Sequence, residues 1–385
     1  MLSRACLLCI GLVCCLVIRT VDADPRPHVV FLSPDDSNFW SMTAGFMEEV
    51  AADLDMGLEV RFDHDRHRFS YQQLAERVLN RKQRPDYLVF MAKENVTEPM
   101  LTLAHEAGVK TFTFNTEIPQ AAQATLGLPR ETLANWIGHV VPDNVQSGQV
   151  LAEILAGQAR QLSKAEHRAP TRMIALSGTL DSSAAKDRNL GLEKVADGEQ
   201  IKLMQLIYAD WSRQQAEEKT RVLLSRYSGI TAIWSASDGM AMGAIDAIRQ
   251  TGRASGQDIV VGGMDWEPQA LAAVRRGELA VSLGRHFMGG GLVLLLLHDY
   301  HKGYDFASAS ASSSAALKYQ LQPATPSNLD RVERVMRPES WRRVDFRAFS
   351  RVHNPDLDGQ AFSANQVMDG FMAALAADAG ASQQP

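Results

Sequence analysis

The chain has 385 residues, 45% of them hydrophobic, with 39 Lys and Arg against 45 Asp and Glu and a formal net charge of −6. That length and ordinary globular composition suit about two domains. The acidic balance excludes a surface built to hold nucleic acid.

Residues 1–23 read as a secretory signal peptide, with Arg4, the apolar run Cys6 to Ile18, and Ala23 ahead of Asp24 as its three parts. The apolar run is about 13 residues, short of the roughly 20 that span a bilayer. All four cysteines, Cys6, Cys9, Cys14 and Cys15, lie inside it. Cleavage after Ala23 removes disulfides, thiolate catalysis and cysteine zinc sites together. Leu8, Val13 and Cys14 precede the last three cysteines and Cys6 is too near the start, so no lipid anchor is expected. The expectation is a free periplasmic protein, acting as a monomer.

From Val29 the chain alternates apolar runs of strand length with amphipathic segments of helix length. The predicted strands are Val29 to Leu32, Leu58 to Phe62, Tyr87 to Met91 and Lys110 to Phe114, with helices beginning near Phe39, Tyr71 and Glu98. Stripes such as Phe46, Val50 and Leu54, or Tyr71, Leu74 and Val78, cover one face of the sheet. After Gly138-His139-Val140-Val141 the pattern restarts with a helix from Asn144 and strands Met173 to Ser177, Ile201 to Tyr208, Ala232 to Ser235, Ile259 to Gly262 and Leu279 to Leu283. Gly289-Gly290-Gly291 opens an apolar helix to His298. Ala307 to Ala316 reads as a loop, Leu317 to Leu321 as a last strand, and the Ser382 to Pro385 end as disordered.

This order predicts an α/β fold of two similar lobes, each a parallel sheet flanked by helices, joined by a three-crossing hinge. The lobes are expected at 24–141 plus 286–316 and at 142–285 plus 317–325, with a C-terminal extension from 326 to 385. A ligand is expected at the strands' carboxyl ends, in the gap between lobes.

The residues just past the strands are Asp35, Asp36, Ser37, Phe39 and Trp40, then Asn115, then Arg188, Trp211, Ser237, Asp238 and Asp265, and finally Arg285 with His286. Aromatic faces suit C–H surface and Asn, Asp and Arg fix oxygens, a combination for a small polyhydroxylated ligand. The competing account is that the aromatics are core residues and the carboxylates helix caps.

These strand-end residues, with Pro142-Asp143-Asn144, the segment Ser183-Ala184-Ala185-Lys186-Asp187-Arg188-Asn189-Leu190-Gly191-Leu192, Ala209-Asp210-Trp211, and Ser237-Asp238-Gly239-Met240-Ala241-Met242-Gly243-Ala244, carry a resemblance over roughly residues 28–325. The chain resembles the periplasmic sugar-binding proteins of the ribose-binding type. Its site is similar to that of the periplasmic autoinducer-2 receptor, through Ser37, Trp40, Asn115, Arg188 and Arg285. Asp35, and either Met264 or Asp265, depart from that receptor's pattern. Two arginines at one small site imply either an anionic ligand or pairing with Asp35, Asp36, Asp238 or Asp265.

Other motifs point elsewhere less well. Ser183-Ala184-Ala185-Lys186 matches the S-x-x-K of serine acylases, but its companion segments do not occur. His64 with His67, and His298 with His301, have no third ligand in view, so no metal or other cofactor is expected. A sugar-responsive repressor would need a basic DNA-binding segment where the signal peptide stands. The resulting expectation is a non-enzymatic binder of a small sugar or polyol that presents its closed form to a membrane ABC permease, or alternatively to a sensor kinase. The arginine-rich stretch Asn328 to Val352, with Trp341, Phe346 and Phe349, reads either as a partner surface or as a strap packed across the hinge. With the pocket complete by Arg285, removing Gly359 to Pro385 is expected to leave binding nearly intact.

Overall fold

The computed structural model describes residues 26–65, 67–162, 169–196, 198, 200–310, 314–357 and 359–377. The signal segment and the Ser382 to Pro385 end lie outside these. The strands are β1 His28–Ser33, β2 Gly57–Phe62, β3 Tyr87–Met91, β4 Lys110–Phe114, β5 Trp136–Pro142, β6 Thr171–Ser177, β7 Ile201–Tyr208, β8 Ala232–Ser235, β9 Val260–Met264, β10 Val281–Gly284, β11 Ala316–Tyr319 and β12 Gln322–Ala324. They form two six-stranded sheets, ordered β11-β5-β4-β3-β1-β2 and β12-β10-β9-β8-β6-β7. Every pairing is parallel except β10 with β12.

The helices of the first half are α1 Asn38–Asp53, α2 Arg68–Leu79, α3 Thr97–Glu106, α4 Gln120–Leu126, α5 Asn144–Leu162, α6 Ser183–Ala196 and α7 Arg213–Arg226. Those of the second half are α8 Asp238–Gln250, α9 Pro268–Arg275, α10 Gly289–His301, α11 Phe306–Ala309, α12 Leu329–Val335, α13 Pro338–Trp341 and α14 Ala364–Ala376. None of the described helices is long and apolar enough to cross a membrane.

Central strands such as Tyr87-Leu88-Val89-Phe90 are apolar without alternation because both of their faces are covered. Val30, Leu32, Leu88 and Phe90 pack with Tyr71, Val78, Met100 and Ala104 of α2 and α3. Val29, Phe31, Val89, Phe112 and Phe114 face the other way, toward Phe46 and Val50 of α1 and the leucines of α10.

The chain passes between sheets three times: after β5, after β10, and between β11 and β12. Ala316–Tyr319 pairs with β5 in the first sheet, so the third crossing lies at Gln320 and Leu321. The expected boundary at residue 316 therefore moves, because hydrogen bonding to His139–Pro142 claims the start of that apolar run. β5 itself was not among the predicted strands. Within the expected loop at 307–316, Phe306–Ala309 is a helical turn capped by the Asp305 side chain.

Candidate functional site

The carboxyl ends of the two sheets meet. Ser183 Oγ donates to the Glu117 carbonyl at 3.0 Å, Lys186 pairs with Glu94, and Asn38 hydrogen-bonds Glu267. Six of the nine described non-glycine residues with positive φ stand at these strand ends: Asn115 (70°), Asp210 (52°), Trp211 (58°), Asp265 (125°), Trp266 (59°) and Arg285 (85°). Such conformations cost roughly 1–3 kcal/mol each, persist only where the surroundings impose them, and gather at functional sites.

Arg188 is the centre of the cluster and is 4% exposed. It reaches its position because α6 lies directly on α5. A Cβ at Gly148 would sit 1.9 Å from the Arg188 carbonyl oxygen, and one at Gly191 1.9 Å from that of Val145. Nε of Arg188 donates to Asn144 Oδ1 at 2.9 Å and Nη1 to the Ala236 carbonyl at 2.6 Å, with Asp265 Oδ1 3.9 Å away. The Trp211 ring lies 5.9 Å from the guanidinium carbon.

Asp265 Oδ1 also lies 3.0 Å from His286 Nε2, and the His286 ring rests on Phe39 with centroids 4.6 Å apart. Burial lowers the His286 pKa below its ordinary value, so the imidazole is neutral near pH 7. With its Nε2–H turned to a carboxylate, Nδ1 is left as an acceptor. That atom, Asn115 Oδ1 and Asn144 Nδ2 are buried without a hydrogen-bond partner among the described residues. Unpaired buried polar atoms are costly, and a ligand carrying hydroxyl groups would satisfy them.

Behind this layer, Asp238 Oδ2 accepts from Ser282 Oγ at 2.7 Å and from the Glu267 N–H at 2.9 Å. Ser282 Oγ in turn accepts from the Trp266 N–H at 3.1 Å, so the pair holds the turn that carries Asp265. Burial, then the Asp265 charge, raises the Asp238 carboxyl well above the usual carboxylate range.

Several residues predicted for the site have other employment. Asp35 accepts from the Ser37 N–H at 2.8 Å and shapes the turn into α1, while Asp36 is exposed and lies 3.3 Å from His64. Ser237 caps α8 through the Met240 N–H. Trp40, 6% exposed, is packed among Phe31, Phe39 and Phe114, so Phe39 is the aromatic of this pair that reaches the hinge.

Arg285 differs most from expectation. It is 2% exposed, and its guanidinium donates to the Gln320 carbonyl at 2.6 Å, to Asn365 Oδ1 at 3.0 Å and to Asp369 of α14. It is therefore paired, but with a helix in the C-terminal extension rather than with Asp35, Asp36, Asp238 or Asp265. His286, one residue later, is the hinge residue that joins the Arg188 and Asp265 cluster. Its position two residues past β10 was the only sequence signal for it.

The periplasmic binding protein domain family matches residues 29–287. A solved periplasmic sugar-binding protein from Pseudomonas fluorescens is 30% identical with a TM-score of 0.77, covering 89% of this chain and 99% of that one. The ribose import binding protein of Salmonella typhimurium is 27% identical over 167 residues, 43% of this chain and 53% of that protein. The galactofuranose-binding protein of Escherichia coli is 25% identical over 190 residues, 48% of this chain and 54% of that protein. The chain thus spans about half the length of these two curated relatives. With the family match covering most of both lobes, the chain belongs to the periplasmic binding protein domain family.

Proposed function

We propose that this protein captures a small uncharged sugar or polyol between its lobes in the periplasm, after export by the signal at residues 1–23, and presents the closed form to an ABC importer without catalysing a reaction. The observation that carries the reading is the Arg188, Asp265 and His286 cluster, flanked by Phe39 and Trp211 and bordered by buried polar atoms that lack partners. Arg188 has Asp265 3.9 Å away to meet its charge, so no anionic ligand is needed to balance it, while Asn144 and the Ala236 carbonyl take its Nε–H and one Nη1–H and leave the remaining N–H groups for ligand oxygens. A neutral His286 Nδ1 and Asn115 Oδ1 both ask for donors, which hydroxyl groups supply. The names of the ribose import and galactofuranose-binding relatives support the ligand class and the importer. The extension, which the sequence leaves open between a partner surface and a strap across the hinge, packs against both lobes.

The test is a thermal-shift screen of neutral pentoses, hexoses and polyols alongside sugar acids. A ligand at a hundredfold excess over its dissociation constant adds about 2.7 kcal/mol of stability. Stabilisation by neutral compounds is the expected result. Stabilisation by sugar acids alone, or by nothing, overturns the reading.

A further inference from the structure

The extension beyond β12 touches both lobes. On the second lobe, Arg275 of α9 pairs with Asp330 at 2.6 Å and Glu333 at 2.8 Å, both on α12. On the first lobe, Trp341 of α13 packs its ring 5.5 Å from Phe46 of α1 and 5.6 Å from Phe287, and donates its indole N–H to the Val335 carbonyl at 2.7 Å. Arg342 bonds Glu49, and the Phe346 N–H bonds Asp53, each at the outer side of α1. Farther along, the Arg351 N–H donates to Asp299 of α10 at 2.8 Å.

The segment then returns as α14 and grips two hinge crossings at once. Asn365 Oδ1 accepts from Arg285 Nη2 at 3.0 Å, in the second crossing, and from the Gln320 N–H at 2.8 Å, in the third. One helical turn later, Asp369 Oδ1 accepts from Arg285 Nη1 and from Gln322 Nε2, the latter at 3.0 Å. Arg285 itself holds a φ of 85° and donates to the Gln320 carbonyl, tying the crossings to each other. Hinge motion turns φ and ψ at a few such crossing residues. Bonds that fix two of the three crossings against one rigid helix resist that rotation.

We propose that residues 329–357 and 359–376 form a brace across the hinge, with Asn365 and Asp369 holding Arg285 and Gln320 in the closed arrangement, so that the ligand-free protein is biased toward closure. This rests on the two-lobed fold and not on the identity of the ligand.

The test is small-angle scattering of the full chain without ligand, comparing wild type with the double variant Asn365→Ala, Asp369→Ala. The expected result is a larger radius of gyration for the ligand-free variant, together with faster exchange of the Gln320 amide. For whichever compound the thermal screen identifies, affinity falls about tenfold as the closed fraction falls. Identical ligand-free scattering overturns the brace, even if the melting temperature drops, because packing alone predicts that drop. Should the double variant fail to fold, Asp369→Leu keeps the approximate side-chain shape and removes both accepting oxygens. Unchanged scattering there also overturns the proposal. A screen in which no sugar binds, combined with an expanded variant, counts against the proposed function and leaves the brace standing.

Discussion

Burial, then the Asp265 charge, pushes the Glu267 carboxyl up from 4.5 to about 7, while a hydrogen bond from Asn38 across the cleft opposes this. A carboxyl whose pKa is higher folded than unfolded subtracts nothing when protonated in both states, and subtracts most when ionised in both. Its penalty therefore grows from about pH 4.5 to about pH 7 and is constant above. Glu267→Gln is expected to match wild type near pH 4 and to be more stable at pH 8 by roughly 3 kcal/mol. Melting curves across this range check it; an equal shift at both ends would show that ionisation is not the cause. Asp187 is raised to about 6 by burial and by Glu117, so it works in the same direction. Arg188→Ala leaves Asn144 Oδ1 and the Ala236 carbonyl without their donor and Asp265 with His286 alone beside its charge. It is expected to cost about 2–5 kcal/mol of ligand binding by calorimetry and to lower the melting temperature as well. Wild-type affinity in that variant would remove Arg188 from the site.

The contact of α5 with α6 decides where Arg188 stands, and two glycines on one helix pair separate packing from propensity. Gly191→Ala places a methyl 1.9 Å from the Val145 carbonyl oxygen and forces the helices apart, a loss of roughly 1–3 kcal/mol. Gly157→Ala, on α5 where Gly191 is on α6, meets nothing within 4 Å and is expected to gain about 0.5–1 kcal/mol from helix propensity. Denaturant titrations of the two variants shifting in the same direction would refute this account. Elements buried on both faces were legible in the sequence: the runs Tyr87 to Met91 and Lys110 to Phe114 are strands with those bounds. β5 was not, because Gly138 and His139 interrupt its apolar run. Gly138 makes room for the Phe112 ring, and His139 is buried against Thr113, contacts that no periodicity displays. Arg285 was misplaced for a related reason. A strand-end arginine looks the same whether it faces a ligand or a helix, and its partners lie 80 and 84 residues along the chain.

Beyond the two sheets, the first lobe's core continues into the extension, which the sequence presents mainly as charge. Phe46 of α1 is ringed by Phe287, Trp341, Phe346 and Phe371, so residues far past the third crossing fill the space under α1 and α10. Met368, Phe371, Met372 and Leu375 of α14 are each at most 2% exposed. Burial of such side chains is worth about 1.5–3 kcal/mol apiece, and a whole domain is stable by only about 5–15 kcal/mol. Removing Gly359 to Pro385 is therefore expected to abolish cooperative folding rather than leave binding intact. It strips the Phe46 cluster of one wall and leaves the buried Arg285 guanidinium with only the Gln320 carbonyl. Phe371→Ala is the graded form of the same experiment, with an expected loss of about 3–5 kcal/mol. Circular dichroism melts decide the matter: a truncated chain that unfolds cooperatively within a few degrees of the full protein would mean that α14 is an appendage and that the core ends at the third crossing.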